Sequence, residues 1–259
     1  MPSASDPAVE VSHLDITYRT TYEKVPTLKS ALVRLGRRQT AVREIQAVRD
    51  VSFEVPQGAV MGIVGANGAG KSTLMRSVAG ILPPTAGRIV VNGRVSTLLA
   101  LGVGFNAALS GRENVVLGGL AAGLTRDRLE ERYEEIADFA ELGDFMDLPM
   151  KTYSSGMYGR LAFAVAVHME PDILLVDEAL SAGDAKFKQK AQAKMLELCQ
   201  RAGTILLVTH ALATVKDLCS DAIWLHKGQL IQQGKPEEIV EAYTRFLKVG
   251  ESAITDEDV

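Results

Sequence analysis

The chain has 259 residues, 47% of them hydrophobic and 23% charged, with a formal net charge of -4, so it has length and apolar content enough for a full buried core. The acidic balance speaks against nucleic acid as the main partner, because neutralising phosphates takes a basic face. The two cysteines, Cys199 and Cys219, fall inside apolar helical patterns and read as buried reduced thiols, and the opening MPSASDPAVE lacks the basic flank and apolar core of an export signal.

VEVSHLDITY at 9-18 and AVRDVSFEV at 47-55 alternate as half-buried strands, which predicts an antiparallel sheet near the amino terminus. GAVMGIVG then leads through a glycine-rich turn into a helix-like KSTLMRSVAGIL, and RIVVNGRVSTLL returns to short strands. The stretch without a charge from Val95 to Gly111 is punctuated by Gly102, Gly104, Asn106 and Ser110, so it reads as strand and loop rather than a membrane span. Leu129, Tyr133, Ile136 and Ala140 recur at helical spacing and predict an amphipathic helix over 125-142. Beyond it the pattern is helix 155-168, strand DILLV, helix 185-201, strand TILLV, helix 211-219, strand AIWLH and a closing helix from Pro236 to Lys248. Strands alternating with helices in this way imply a parallel sheet covered on both faces, and the acidic tail ESAITDEDV is expected to be mobile.

GANGAGKS, Gly65 to Ser72, fits the phosphate-loop pattern G-x-x-x-x-G-K-[ST] between a strand and a helix. Gly65, Gly68 and Gly70 let the backbone around Ala66, Asn67 and Ala69 curl its N-H groups toward phosphates, and the dipole of the helix running on through Thr73 adds positive potential. Lys71 should reach the terminal phosphates and the Ser72 hydroxyl should bind Mg²⁺. ILLVDE places Asp177 beside that metal and Glu178 beyond it, where a general base could polarise an attacking water. His210 closes the strand TILLVTH; it is either a structural residue or a hydrogen-bond donor to the γ-phosphate, gathered with Asp177 and Glu178 at the carboxyl edge of the sheet. YSSGM, residues 153-157, offers the hydroxyls of Ser154 and Ser155 and the backbone of Gly156 at a helix start, which suits either a plain cap or an anion.

The order GANGAGKS, YSSGM, ILLVDE, SAGD and a histidine-tipped strand resembles the ATP-binding cassette family, from about Val9 to Tyr243. That resemblance implies a phosphate-loop α/β fold with a parallel core sheet, an antiparallel β subdomain and a helical signature subdomain at about 105-168, in one domain spanning 1-259. It implies Mg²⁺-dependent ATP hydrolysis in which Tyr18 stacks on adenine, Ser154, Ser155 and Gly156 contact the ATP of a second copy, and Ser181 to Asp184 form the loop joining the two subunits. Two departures stand out. The usual signature is LSGGQ, and the usual glutamine between the phosphate loop and the signature is replaced by LLALGVGFNAALSGREN. Both are similar to the branch that exports lipid-linked polysaccharides: O-antigen, teichoic acid and galactan exporters, with G-x-G-F here at Gly102 to Phe105 and G-R-E-N at Gly111 to Asn114. The branch implies a peripheral subunit at the cytoplasmic face of the plasma membrane, a separate transmembrane permease and a polysaccharide on an undecaprenyl- or decaprenyl-type lipid; residues 17-38 look closest to the galactan exporter. No room for a carbohydrate-binding module after the ATPase is expected. A soluble cassette ATPase of ribosomes or DNA is the rival, but such chains usually carry two cassettes or a long coiled-coil insertion. A regulator without turnover is opposed by Lys71, Asp177, Glu178 and His210.

Residues 19-49 carry eight basic side chains against two acidic ones, and Leu28, Ala31, Leu32 and Leu35 mark a short amphipathic helix ending at Gly36. It is either a solvated excursion resting on the sheet or, as the resemblance implies, a helix at the membrane surface beside the permease.

Overall fold

The computed structural model describes residues 6-21, 42-97, 104-121, 124-168, 171-177, 184-200 and 203-250. The short amphipathic helix expected at 28-36, Gly102, Glu178, residues 181-183 and the tail from 251 lie outside the described residues.

Two sheets form the frame. Strand β1 (Val9–Thr21) pairs antiparallel with β2 (Val42–Val55) and with β4 (Ala86–Val91), giving the expected antiparallel sheet in the order β2-β1-β4. Its alternating residues Val9, Val11, Leu14, Ile16, Val51, Phe53 and Val55 are buried on one face, as a half-buried sheet requires. The second sheet has the order β5-β6-β7-β3-β8-β9 and comprises β3 (Val60–Val64), β5 (Val95–Thr97), β6 (Ile173–Asp177), β7 (Thr204–Val208), β8 (Asp221–His226) and β9 (Gln229–Gly234). All its pairings are parallel except β8 with β9.

The near-continuous apolar runs of β6 and β7 follow from burial on both faces. Leu174, Val176, Ile205 and Leu207 point into a core shared with the helical layer, whereas Ile173, Leu175, Leu206 and Val208 point into one shared with the antiparallel sheet. The helix after the glycine turn, α1 (Lys71–Val78), packs on the second side through Leu74, Met75 and Val78. It stops before the apolar run ends, where Gly80 adopts φ 72. On the first side lie α2 (Gly111–Ala121), α3 (Arg126–Ala140), α4 (Ser155–His168) and α5 (Ala185–Gln200). Helix α4 is apolar nearly all round because both flanks are covered, with Leu161 to His168 buried. A third core, around Trp224, seats α6 (Leu212–Leu218) and α7 (Pro236–Val249) on β3, β8 and β9. Cys219 beside it is half-buried rather than fully covered. No helix among the described residues is long and apolar enough to cross a membrane.

Two elements go beyond the sequence-based expectation. Helix α2 begins with a reciprocal cap: the Ser110 N-H donates to Glu113 Oε2 at 2.8 Å and the Glu113 N-H to Ser110 Oγ at 3.2 Å, the S-x-x-E pattern of a helix start. Those bonds from Ser110 hold the exposed Glu113 carboxyl below its ordinary range. Strand β9 follows β8 through the two-residue turn Lys227-Gly228, both at positive φ (48 and 85), the geometry that matches strand twist in tight hairpins.

Candidate functional site

The site is built where β3 ends. Gly65 takes φ 148, and a Cβ there would lie 2.2 Å from the Leu225 carbonyl oxygen; Gly70, at φ 104, would bring one to 2.5 Å from the Ala47 oxygen. No other residue fits these two positions, so the turn that swings the backbone from β3 into α1 is closed by glycine at both ends. The first N-H groups of α1 have no partner inside the helix and lie at its positive end. The Lys71 side chain, 6% exposed, folds back over the loop and its ammonium donates to the carbonyls of Gly65 (2.6 Å) and Ala66 (3.0 Å), which offsets the cost of covering a charge.

At the next residue, the Ser72 hydroxyl donates to Asp177 Oδ2 at 2.7 Å. Residues 105 positions apart in the chain are thus joined at the carboxyl edge of the sheet. Because β7 lies between β6 and β3, the segment carrying His210 emerges between Asp177 and the glycine turn. A hydroxyl and a carboxylate in contact beside a phosphate-loop lysine are hard oxygen donors of the kind Mg²⁺ takes, so these side chains fit that ion. Tyr18, 37% exposed near the end of β1, reaches the same place from the antiparallel sheet: its hydroxyl lies 3.4 Å from Thr73 Oγ1. An aromatic face beside the outlet of a phosphate cradle fits a purine. Glu178 lies outside the described residues.

YSSGM stands at the head of α4. Ser154 Oγ accepts the Met157 N-H at 3.2 Å, so one of the two hydroxyls works as a helix cap within the chain. Ser155 is exposed and Gly156 half-exposed. Tyr153 donates its hydroxyl to the Phe145 carbonyl at 2.6 Å, and burial pushes its phenol upward from the ordinary value. The two departures from the family pattern meet here. A Cβ on Gly111 would lie 2.3 Å from the Tyr153 hydroxyl, and the Phe105 ring meets Tyr158 edge-on at 5.7 Å. The segment between them is held by the fully buried Asn114, whose Oδ1 accepts the Asn106 N-H at 2.7 Å and whose amide N-H groups serve the carbonyls of Asn106, Leu109 and Ser110. The sequence marks Asn114 only as the end of G-R-E-N, with no sign of its hydrogen bonds, and it leaves Arg160 unremarked, the only Lys, Arg, Asp or Glu between Lys151 and Glu170. Its isolation in an apolar helix was the available signal. A cavity of about 620 Å³ at the opposite edge of the sheet, lined by Arg132, His168, Asp172 and Lys194, is remote from all of these groups.

A phosphate cradle on β3, an acid on β6 and an exposed aromatic define a nucleotide-binding protein of the phosphate-loop class. The sequence profile described as ABC transporter matches residues 48–181. The chain is 45% identical over 237 residues to the O-antigen export system ATP-binding protein RfbB of Myxococcus xanthus, covering 90% of this chain and 54% of that one. It is 48% identical over 202 residues to the teichoic acids export ATP-binding protein TagH of Bacillus anthracis (78% and 37%), and 45% identical over 206 to the ABC transporter protein AbcA of Aeromonas salmonicida (80% and 67%). It spans about half, or less, of the length of the first two. Among solved structures, the ATP binding subunit of an ABC transporter superposes with a TM-score of 0.70 at 23% identity, covering 94% of this chain and 95% of that one. A dimeric post-hydrolysis state of the ATP-binding cassette MJ0796, bound to ADP and Pi, gives 0.68 at 21% identity (88% and 98%). The chain belongs to the ABC transporter family, and its relatives include ATP-binding proteins of O-antigen and teichoic acid export.

Proposed function

We propose that the chain is a Mg²⁺-dependent ATP hydrolase that works as a pair of identical subunits and drives export of a lipid-linked polysaccharide through a separate transmembrane permease. The observation that carries the catalytic half is the Ser72–Asp177 contact of 2.7 Å beside the covered Lys71. Lys71 would turn its ammonium from the loop carbonyls onto the terminal phosphates, and the backbone of residues 65-70 would take the others. Tyr18 would stack on adenine. Ser72 and Asp177 would hold Mg²⁺, which neutralises the charge of the phosphates when bound. Glu178 would orient and deprotonate the attacking water, and His210 would donate to the γ-phosphate.

The transport half rests on the relatives' named roles in O-antigen and teichoic acid export and on the G-x-G-F, G-R-E-N and YSSGM segments. The reading takes 1-259 as one cassette, with the signature-bearing helices at about 105-168, at the cytoplasmic face of the membrane. Galactan as the cargo rests on sequence in residues 17-38 alone.

Purified protein tests the first half. Wild type should hydrolyse ATP with Mg²⁺. Lys71→Ala should lose nucleotide binding, and Glu178→Gln should keep it while turnover falls by about 10²- to 10⁴-fold, the range for a lost general base. Glu178→Gln turning over at the wild-type rate removes Glu178 from the mechanism. For the second half, the protein isolated from its native membrane should bring a multispanning permease with it; recovery with ribosomes or DNA instead would favour the soluble-cassette reading.

A further inference from the structure

Tyr153 stands immediately before the two serines of YSSGM, and its half-buried phenol faces two other segments at once. The hydroxyl donates to the Phe145 carbonyl at 2.6 Å, in the short 3-10 helix Gly143–Asp147, and the Tyr153 ring meets that of Phe145 edge-on at 6.5 Å. The Gly111 N-H serves the same oxygen: burial drives the phenol upward, and the bond from that amide acts against the rise. Gly111 is the first residue of α2, so its N-H is one of the donors that a helix start cannot satisfy from within. The backbones run together as well. The Met150 N-H donates to the Leu109 carbonyl at 2.9 Å, the Lys151 N-H donates to the Ala107 carbonyl at 2.8 Å, and Ser110 bridges Pro149 in antiparallel sense. Residues 107-111 and 149-153 are therefore tied by backbone and closed by one side-chain oxygen.

The usual signature LSGGQ has leucine where this chain has Tyr153, and leucine carries no polar side-chain atom to serve either partner. We infer that Tyr153 is a positioning residue, whose hydroxyl fixes the start of α2 to the residue preceding Ser154, so that the G-R-E-N helix start and the signature turn move as one body. Both bonding directions of the hydroxyl are taken up inside the chain, so it acts through the signature turn and not on nucleotide. A displacement of α2 then reaches the signature of the same subunit and, through it, the ATP held by the other subunit. This rests on the ATP-hydrolase reading above and adds to it a residue outside the nucleotide contacts.

Steady-state kinetics of purified homodimers and mixed dimers tests it. Tyr153→Phe keeps the ring and deletes only the oxygen. In the homodimer it should lower kcat by about 10-fold, short of the ~10²-fold that a misplacement of about 1 Å can cost, because the backbone ties remain. The KM for ATP should stay within about two-fold, since ground-state binding on residues 65-73 is untouched. Wild type paired with a Lys71→Ala/Tyr153→Phe chain leaves one ATP, facing the altered signature, and should show the slowing. Tyr153→Phe paired with Lys71→Ala leaves one ATP facing an unaltered signature, and should match wild type paired with Lys71→Ala. Gly111→Ala, which drives a Cβ into the hydroxyl, should lose at least as much, and adding Tyr153→Phe should recover part of that loss, because the next atom out is the Met146 carbonyl oxygen at 3.1 Å. Val240→Ala, in the core around Trp224, should lower the melting temperature at least as far as Tyr153→Phe with kcat unchanged. Near-wild-type kcat in Tyr153→Phe, slowing where the ATP faces the unaltered signature, losses that multiply with Gly111→Ala, or a kcat that tracks melting temperature each overturns the assignment. Those results leave the hydrolase reading standing if wild type turns over and Lys71→Ala does not; a wild-type chain without turnover overturns both.

Discussion

Gly156 has room that its own chain does not use. A Cβ there would come no nearer than 3.8 Å to a neighbouring atom, the Ser154 hydroxyl, and the residue has no left-handed backbone. A side chain at this position should therefore fold, and any loss it causes must arise from what approaches from outside. Gly156→Asp would set a carboxylate against a partner's phosphate, a like-charge contact at short range. Two mixed dimers decide whose phosphate it is. If the signature serves the opposite subunit, Lys71→Ala paired with Gly156→Asp leaves one intact site and should turn over. Wild type paired with the Lys71→Ala/Gly156→Asp double variant puts one lesion in each site and should be inactive. The reverse pattern of activities would assign YSSGM to its own chain's ATP. At this scale the phosphate loop, Asp177 and the signature serines were legible because each needs particular residue types at fixed spacing. Arg160 was not, since its partner Asp184 is 24 positions away and no short pattern links them.

Asn114 ties residues 106-110 back onto the first turn of α2. Its side chain is fully buried, accepts one backbone N-H and shares its two amide hydrogens among three carbonyls. Asn114→Ala would take the acceptor from the Asn106 N-H and leave a hole where the side chain was, whereas the carbonyls of Asn106, Leu109 and Ser110 keep the backbone N-H donors of Leu109, Met150 and Asn114. With one unsatisfied group at about 1-3 kcal/mol, urea unfolding should show a loss of about 2 kcal/mol; a loss below about 1 kcal/mol would mean that water replaces the hub. The same reasoning explains what escaped the sequence at the level of elements. Helix α2 announces itself only through the Ser110–Glu113 cap, because its apolar run VVLGGLA has no clear stripe. Strand β9 hides behind Lys227, a residue with no preference for the φ 48 that the turn demands. Yet that turn braces the site: the Gly228 N-H donates to the Ala69 carbonyl at 3.0 Å, and its carbonyl accepts the Arg49 N-H at 2.8 Å.

Across the whole molecule, the junction of α3, α4 and α5 makes stability depend on pH. His168 closes α4, 4% exposed, with Nδ1 2.7 Å from the Ala164 carbonyl, its ring edge-on to Phe139 at 5.1 Å and Nε2 3.6 Å from Glu135 Oε1. Burial depresses its pKa first, and the charges of Lys194 and Arg132 act the same way, against the Ala164 bond and Glu135. The unfolded chain then binds the proton at higher pH than the folded one, so stability is flat above the unfolded value of about 6.5 and falls as pH drops from there toward the folded value. Melting temperature should decline between about pH 7 and pH 5, above the range in which the paired carboxylates titrate. His168→Gln, neutral throughout, should flatten part of that decline. An unchanged slope in the variant would place the titration at another histidine.

Sequence by itself determined the class of the molecule, because the phosphate loop, the doubly buried apolar strands and the order of four short motifs are each local patterns with their own physical cause. It also located the ends of Lys71, Ser72 and Asp177 on one edge of a sheet, since a parallel strand brings its carboxyl terminus to the same side every time. Tertiary structure alone decided the rest. That β7 lies between β6 and β3, that Gly111 must be bare to admit the Tyr153 hydroxyl, and that Asp184 both caps α5 and holds Arg160 are contacts between segments far apart in the chain. Such contacts are selected by packing the three cores together, and no window of neighbouring residues carries them.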